Sequence, residues 1–101
     1  MKHNKLVRDK IPASIRDSGR EPVTHVASDN EYREKVYEKL QEEIREFTDA
    51  KNEEELADVF EVIDAICLIE KFDISKVKDI QRKKAEECGK FINKIILDDV
   101  I

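Results

Sequence analysis

Within "LQEEIREF", residues 40–47, Glu43 and Glu46 stand three positions apart beside apolar neighbours. The stretch "EEELADVFEVIDAICLIE" (53–70) repeats that spacing with Glu55 and Asp58. On a helix, residues three apart project from neighbouring turns of one side. Two helices joined by a short loop run antiparallel and adjacent, so the two acidic pairs can converge on one point. Four carboxylates gathered there need a counter-charge, because like unit charges ~4 Å apart repel by about 4 kcal/mol even at an effective dielectric of about 20. A hard divalent cation supplies it. An all-oxygen donor set without His or Cys favours Mg²⁺, with Mn²⁺ also acceptable. Mg²⁺ held by few carboxylates keeps waters and accepts phosphate oxygens, so the spacing points to a phosphate-bearing substrate.

Each acid also has an ordinary explanation. Asp and Glu make up 24 of the 101 residues, so acidic pairs at helical spacing arise without any ligand. Glu42 and Glu43 suit a solvated helix face, and Glu53, Glu54 and Glu55 suit the positive end of a helix dipole, where each contributes ~0.3–1 kcal/mol. Asp58 lies beyond the first turn, inside an apolar run, and escapes that explanation. Glu61 and Asp64 in the same run are either further ligands or partners for cations across a subunit interface. Lys5, Arg8 and Lys10 near the start, and Lys84 with Arg82 and Lys83 near the end, are candidates for meeting phosphates. Their alternative is a surface role, pairing with acids at little energetic gain. His3 and His25 are isolated and read as surface or packing residues.

The elements that must position these acids are helical. Apolar residues Val36, Tyr37, Leu40, Ile44 and Phe47 recur at helical spacing, and Ser28 with Glu31 reads as a capping box opening that helix. Asn52 with Glu55 reads as a second. In the second long helix, Leu56, Phe60, Ile63 and Cys67 define one face, while Val62, Ile66 and Ile69 cover another. A helix apolar on two sides must be covered on two sides, which predicts a partner subunit. Pro12 and Gly19 bracket a short helix of about two turns. Ser75 is expected to start a last helix ended by Gly89, with Val77, Ile80, Ala85 and Cys88 facing inward. "EPVTHVASD" reads as a short extended piece, and the tail "KFINKIILDDVI" as a strand or a closing segment.

Composition limits the rest. A chain of 101 residues with two Gly, two Pro, 40% hydrophobic and 43% charged residues reads as one all-α domain over 1–101. The expected architecture is an antiparallel helical hairpin with flanking short helices, packing as a bundle across a homo-oligomer interface. A net charge of −5 with acids and bases interspersed argues against a nucleic acid polymer as partner. Cys67 and Cys88, single and far apart, read as reduced core thiols. With no long apolar run for a leader or a membrane span, a cytoplasmic protein without membrane contact is expected.

"LQEEIREF" followed by "EEELADVFEVIDAI" resembles the EExxE…ExxD signature of the MazG-type nucleotide pyrophosphohydrolases. "NKLVRDKIP", "PVTHVASDNEY" and "RKKAEECGKFINKIIL" resemble a small-protein branch similar to phosphoribosyl-ATP pyrophosphohydrolase. The resemblance covers almost the whole chain; EExxE alone is a weak motif, and the ordered set of four segments is more specific. It implies helical hairpins bundled in a homodimer or homotetramer. It also implies Mg²⁺-dependent cleavage of a nucleoside triphosphate between the α and β phosphates, giving a monophosphate and pyrophosphate, in clearing unwanted nucleotides. By motif, Glu43, Glu46, Glu55 and Asp58 are the implied metal ligands, with Glu43 or Glu46 catalytic through a bound water, and Glu42 the leading motif acid. Lys5, Arg8, Lys10 and Lys84 are the implied phosphate contacts, and Asp9 orients one of those bases or meets the sugar. The gap between Glu46 and Glu55 is shorter than in many members, and "EECGKF" lacks a second basic residue and a second glycine. Phosphoribosyl-ATP hydrolysis in histidine biosynthesis and a non-enzymatic helical dimerisation module are the alternatives.

Overall fold

A computed structural model describes residues 4–101 of the chain; His3 lies outside them. Four helices and no strand are present among the described residues, so the fold is all-α. The chain divides into two compact units, Met1–Glu70 and Lys71–Ile101.

In the first unit, α1 (Ile11–Asp17) opens with Pro12 in its first turn, where a missing N–H leaves no hydrogen bond unmade. It closes at Gly19, whose φ of +86° suits a residue without Cβ and whose N–H donates to the Arg16 carbonyl at 2.9 Å. The extended piece expected over "EPVTHVASD" forms no strand. Val23 and Val26 are almost fully exposed. A lone β-branched run with no second strand has no ladder to join.

Helix α2 (Asp29–Ala50) is capped by Ser28, whose Oγ accepts the Glu31 N–H at 3.2 Å. Only half of the expected capping box forms. The Glu31 carboxylate turns instead to His25, whose Nε2 lies 2.9 and 3.1 Å from its two oxygens. The helix ends at Lys51, in the left-handed region at φ 52°. Asn52 follows and its Oδ1 accepts the Glu55 N–H at 2.9 Å, starting α3 (Glu53–Glu70). Two residues therefore reverse the chain, and α2 packs against α3 as an antiparallel hairpin.

The hairpin is held by apolar burial along this seam. Val36 on α2 is wholly inaccessible, and Val62 and Cys67 on α3 are buried; Leu40, Phe47, Ile66 and Ile69 are half-buried. At the open end of the hairpin the Arg33 guanidinium pairs with Glu70, and the Tyr37 hydroxyl donates to the same carboxylate at 3.2 Å. The Arg33 hydrogen bond holds the Glu70 carboxyl below its ordinary range. Burial, then Glu70, raises the Tyr37 phenol. The other face of α3 behaves differently: Leu56, Phe60 and Ile63 keep 37%, 56% and 40% of their surface exposed.

In the second unit α4 (Ile74–Cys88) starts one residue before Ser75. Asp73 is the cap, its carboxylate accepting the Ser75 N–H at 2.9 Å. An Asp in that place caps as well as Ser does, and Ser75 becomes the second helical residue. Gly89 ends the helix as expected, donating to the Ala85 carbonyl at 2.9 Å. Two expectations fail here. Cys88 is exposed, not a core thiol, and Val77 and Ile80 remain nearly half exposed. The tail after Gly89 forms no strand, and Phe91, Ile95, Ile96 and Leu97 are exposed. No described helix is long and apolar enough to cross a membrane.

Candidate metal centre

Despite the short gap between Glu46 and Glu55, the two-residue turn brings Glu43 of α2 together with Glu55 and Asp58 of α3; Glu46, expected at the same point, groups with Glu42 and Glu43 and not with the α3 pair. Glu43, Glu55 and Asp58 each place a carboxylate oxygen within 4.8 Å of the others, as do Glu42, Glu43 and Glu46. Glu43 belongs to both groups and is the pivot of the site. Leu40, Ile44 and Phe47 flank it on the apolar side of α2, and α3 closes over it, leaving it 6% exposed. Glu61 and Asp64 are exposed and belong to neither group.

Two oxygens of the cluster stand out. Oε2 of Glu43 and Oε2 of Glu55 are shut off from solvent and have no hydrogen-bond partner. A buried carboxylate oxygen left unpaired is costly, so such atoms call for an explanation. Two of them in one cluster of hard oxygen donors fit a Mg²⁺ or Mn²⁺ ion, which accepts oxygen ligands without demanding His or Cys.

Cationic side chains meet part of the charge. Lys5 Nζ lies 3.3 Å from Glu42, Arg8 Nη2 lies 2.8 Å from Asp58, and Lys39 Nζ lies 3.3 Å from Glu43 and 3.5 Å from Glu42. Lys39 is the residue that sequence reasoning missed. Its position four before Glu43 and three before Glu42 was the available signal, since such pairs face one another on a helix. Lys5, Arg8 and Lys39 thus pair with Glu42, Asp58 and Glu43, while Glu46 and Glu55 make no ion pair among the described residues. Lys10 caps α1 and makes no ion pair among the described residues. Lys84 lies on α4 in the other unit and is exposed. Asp9 is exposed and has no side-chain hydrogen bond among the described residues.

The crowding shows in the acids' titration. Burial, then the charges of Glu43, Glu42 and Glu55, push the Glu46 carboxyl above the ordinary range. For Glu42, burial acts upward, but Lys39 and Lys5 outweigh it and hold the group below that range. A carboxyl raised by folding binds its proton more tightly in the native state. Its stabilising contribution is therefore full below the unfolded value near 4.5 and is lost as pH rises through the raised native value. In metal-free buffer Glu46→Gln is accordingly expected to melt higher than wild type at pH 7, with the gap closing as pH falls toward 4. Thermal denaturation across that range checks it; a gap that widens on acidification would contradict the assignment.

No family model matches the chain, and no solved structure matches it. An uncharacterized protein of Mycolicibacterium smegmatis is 54% identical to it over 41 residues, which is 41% of this chain and 42% of that protein. The match thus spans less than half of the relative's length.

Proposed function

We propose that the chain is a divalent-cation-dependent nucleotide pyrophosphohydrolase, cleaving a nucleoside triphosphate between its α and β phosphates. The observation that carries this reading is the pair of buried, unpartnered oxygens on Glu43 and Glu55 inside a cluster that also holds Asp58. Glu43, Glu46, Glu55 and Asp58 would hold the cation, with Glu42 at the rim. When bound, Mg²⁺ would neutralise triphosphate charge and favour attack at phosphorus. Glu46, exposed where Glu43 is buried and with its own carboxyl raised by burial and by neighbouring acids, accepts a proton from the attacking water. The water oxygen bonds to the α-phosphorus, the bond to the bridging oxygen breaks, and pyrophosphate leaves. Lys5 and Arg8, which already reach the acids of the cluster, are the cations assigned to the phosphates, with Lys10 nearby in sequence, and removal of unwanted nucleotides is the proposed role. The exposed Leu56, Phe60 and Ile63 face supports a homodimer or homotetramer that covers it.

A second reading has its own observation. Lys5, Arg8 and Lys39 already pair with three of the acids, as they would in a helical dimerisation module with no catalytic centre. Pyrophosphate release from a panel of nucleoside triphosphates and phosphoribosyl-ATP, with Mg²⁺ and with chelator, separates the two. Release from at least one substrate, abolished by chelator, is the expected result. No release from any of them favours the dimerisation module.

A further inference from the structure

The segment before α1 reaches the acidic cluster in a way that the hydrolase reading leaves unexplained. Two of its cations are directed at carboxylates of the cluster: Arg8 at Asp58, 2.8 Å away and fifty residues on, and Lys5 at Glu42 at 3.3 Å. Asp58 converges with Glu43 and Glu55, each of which also carries a buried, unpartnered oxygen. A guanidinium on that carboxylate and a divalent ion at the same cluster compete, both for the oxygen and through repulsion of like charge. The ion pair is weak enough to be exchanged, since the Arg8 side chain is 56% exposed and that of Asp58 41%.

Resting on the metal-centre reading above, we infer that residues 4–10 form an exchangeable internal counter-ion: Arg8, assisted by Lys5, occupies Asp58 in the cation-free protein and is displaced when a divalent ion enters. The displaced guanidinium then faces the anionic phosphates that arrive with the ion, where its planar fork suits paired oxygens. Cation entry and phosphate capture are thereby coupled through one side chain. An arm that merely stabilised the fold would not oppose the ion.

The test is Mn²⁺ binding to the full chain, followed by loss of the free-ion EPR signal, for wild type, Arg8→Gln and Arg20→Gln. Arg20 is exposed and makes no ion pair among the described residues, so it controls for net charge. Arg8→Gln is expected to bind Mn²⁺ about threefold to tenfold more tightly than wild type, with Arg20→Gln unchanged. Pyrophosphate binding to the Mn²⁺-saturated protein is expected to weaken in Arg8→Gln. Circular dichroism confirms that each variant is folded. Mn²⁺ binding that is equal or weaker in Arg8→Gln overturns the exchange, and so does unchanged pyrophosphate binding. If neither wild type nor Arg8→Gln binds Mn²⁺, the metal-centre reading falls with it; equal binding by both sinks the exchange alone.

Discussion

Glu43→Gln is expected to lower Mg²⁺-dependent pyrophosphate release by about 10³-fold while raising the melting temperature of the metal-free protein. Glu43 is the one acid shared by both groups of converging carboxylates, and it is the buried one. Gln keeps its size but not its charge, so the proposed cation site would lose its central ligand. A 10³-fold loss corresponds to about 4 kcal/mol of transition-state stabilisation, within the several kcal/mol that a catalytic cation supplies. The stability change runs the other way because Glu43 stands in two overlapping groups of acids and the substitution removes the most enclosed charge of both. Lys39 is not stranded by the change, since it also reaches Glu42. Activity and melting curves on one preparation check both halves. An active variant, or one that melts lower without metal, contradicts the role given to Glu43.

The second large effect is stabilisation by the ion itself. A ligand that binds only the native state at one hundred times its dissociation constant adds about 2.7 kcal/mol. For a domain this small each kcal/mol moves the midpoint by roughly 4–8 °C, so saturating Mg²⁺ should raise the wild-type midpoint by about 10 °C or more. The rise comes from relieving repulsion among Glu43, Glu46, Glu55 and Asp58 and from giving the two orphaned oxygens a partner. A double variant, Glu43→Gln with Asp58→Asn, should show almost none of it. Melting curves with Mg²⁺ and with chelator measure the difference; a shift common to both proteins would signal ordinary salt screening.

Much of this arrangement is legible in the residues because it is local. Caps at Ser28 and Asn52, the end of α4 at Gly89 and the apolar seam of α2 all follow from rules that act over one or two turns. The convergence of Glu43, Glu55 and Asp58 follows from those helices plus a short loop. Other features are set by chain segments far apart or by competition between neighbours. No periodicity announces that Arg8 meets Asp58, because the contact depends on how residues 4–10 cross the hairpin. Glu31 satisfies the spacing of a capping box, yet its carboxylate goes to His25. Asp73 outcompetes Ser75 for the start of α4 because both types cap well and Asp73 comes first. The β-branched residues after Pro22 have strand propensity but no partner strand among the described residues. Cys88 has the right helical spacing for a core but sits in the last turn of α4, where it stays exposed.

The most direct measurement is a calorimetric titration of Mg²⁺ into chelator-treated wild type and into Glu43→Gln. Saturable binding to wild type that disappears in the variant is the predicted result, and it would establish the carboxylate cluster as a cation centre independently of any substrate. No saturable heat with wild type, or the same isotherm from both proteins, would mean that the acids of α2 and α3 are held by Lys5, Arg8 and Lys39 alone.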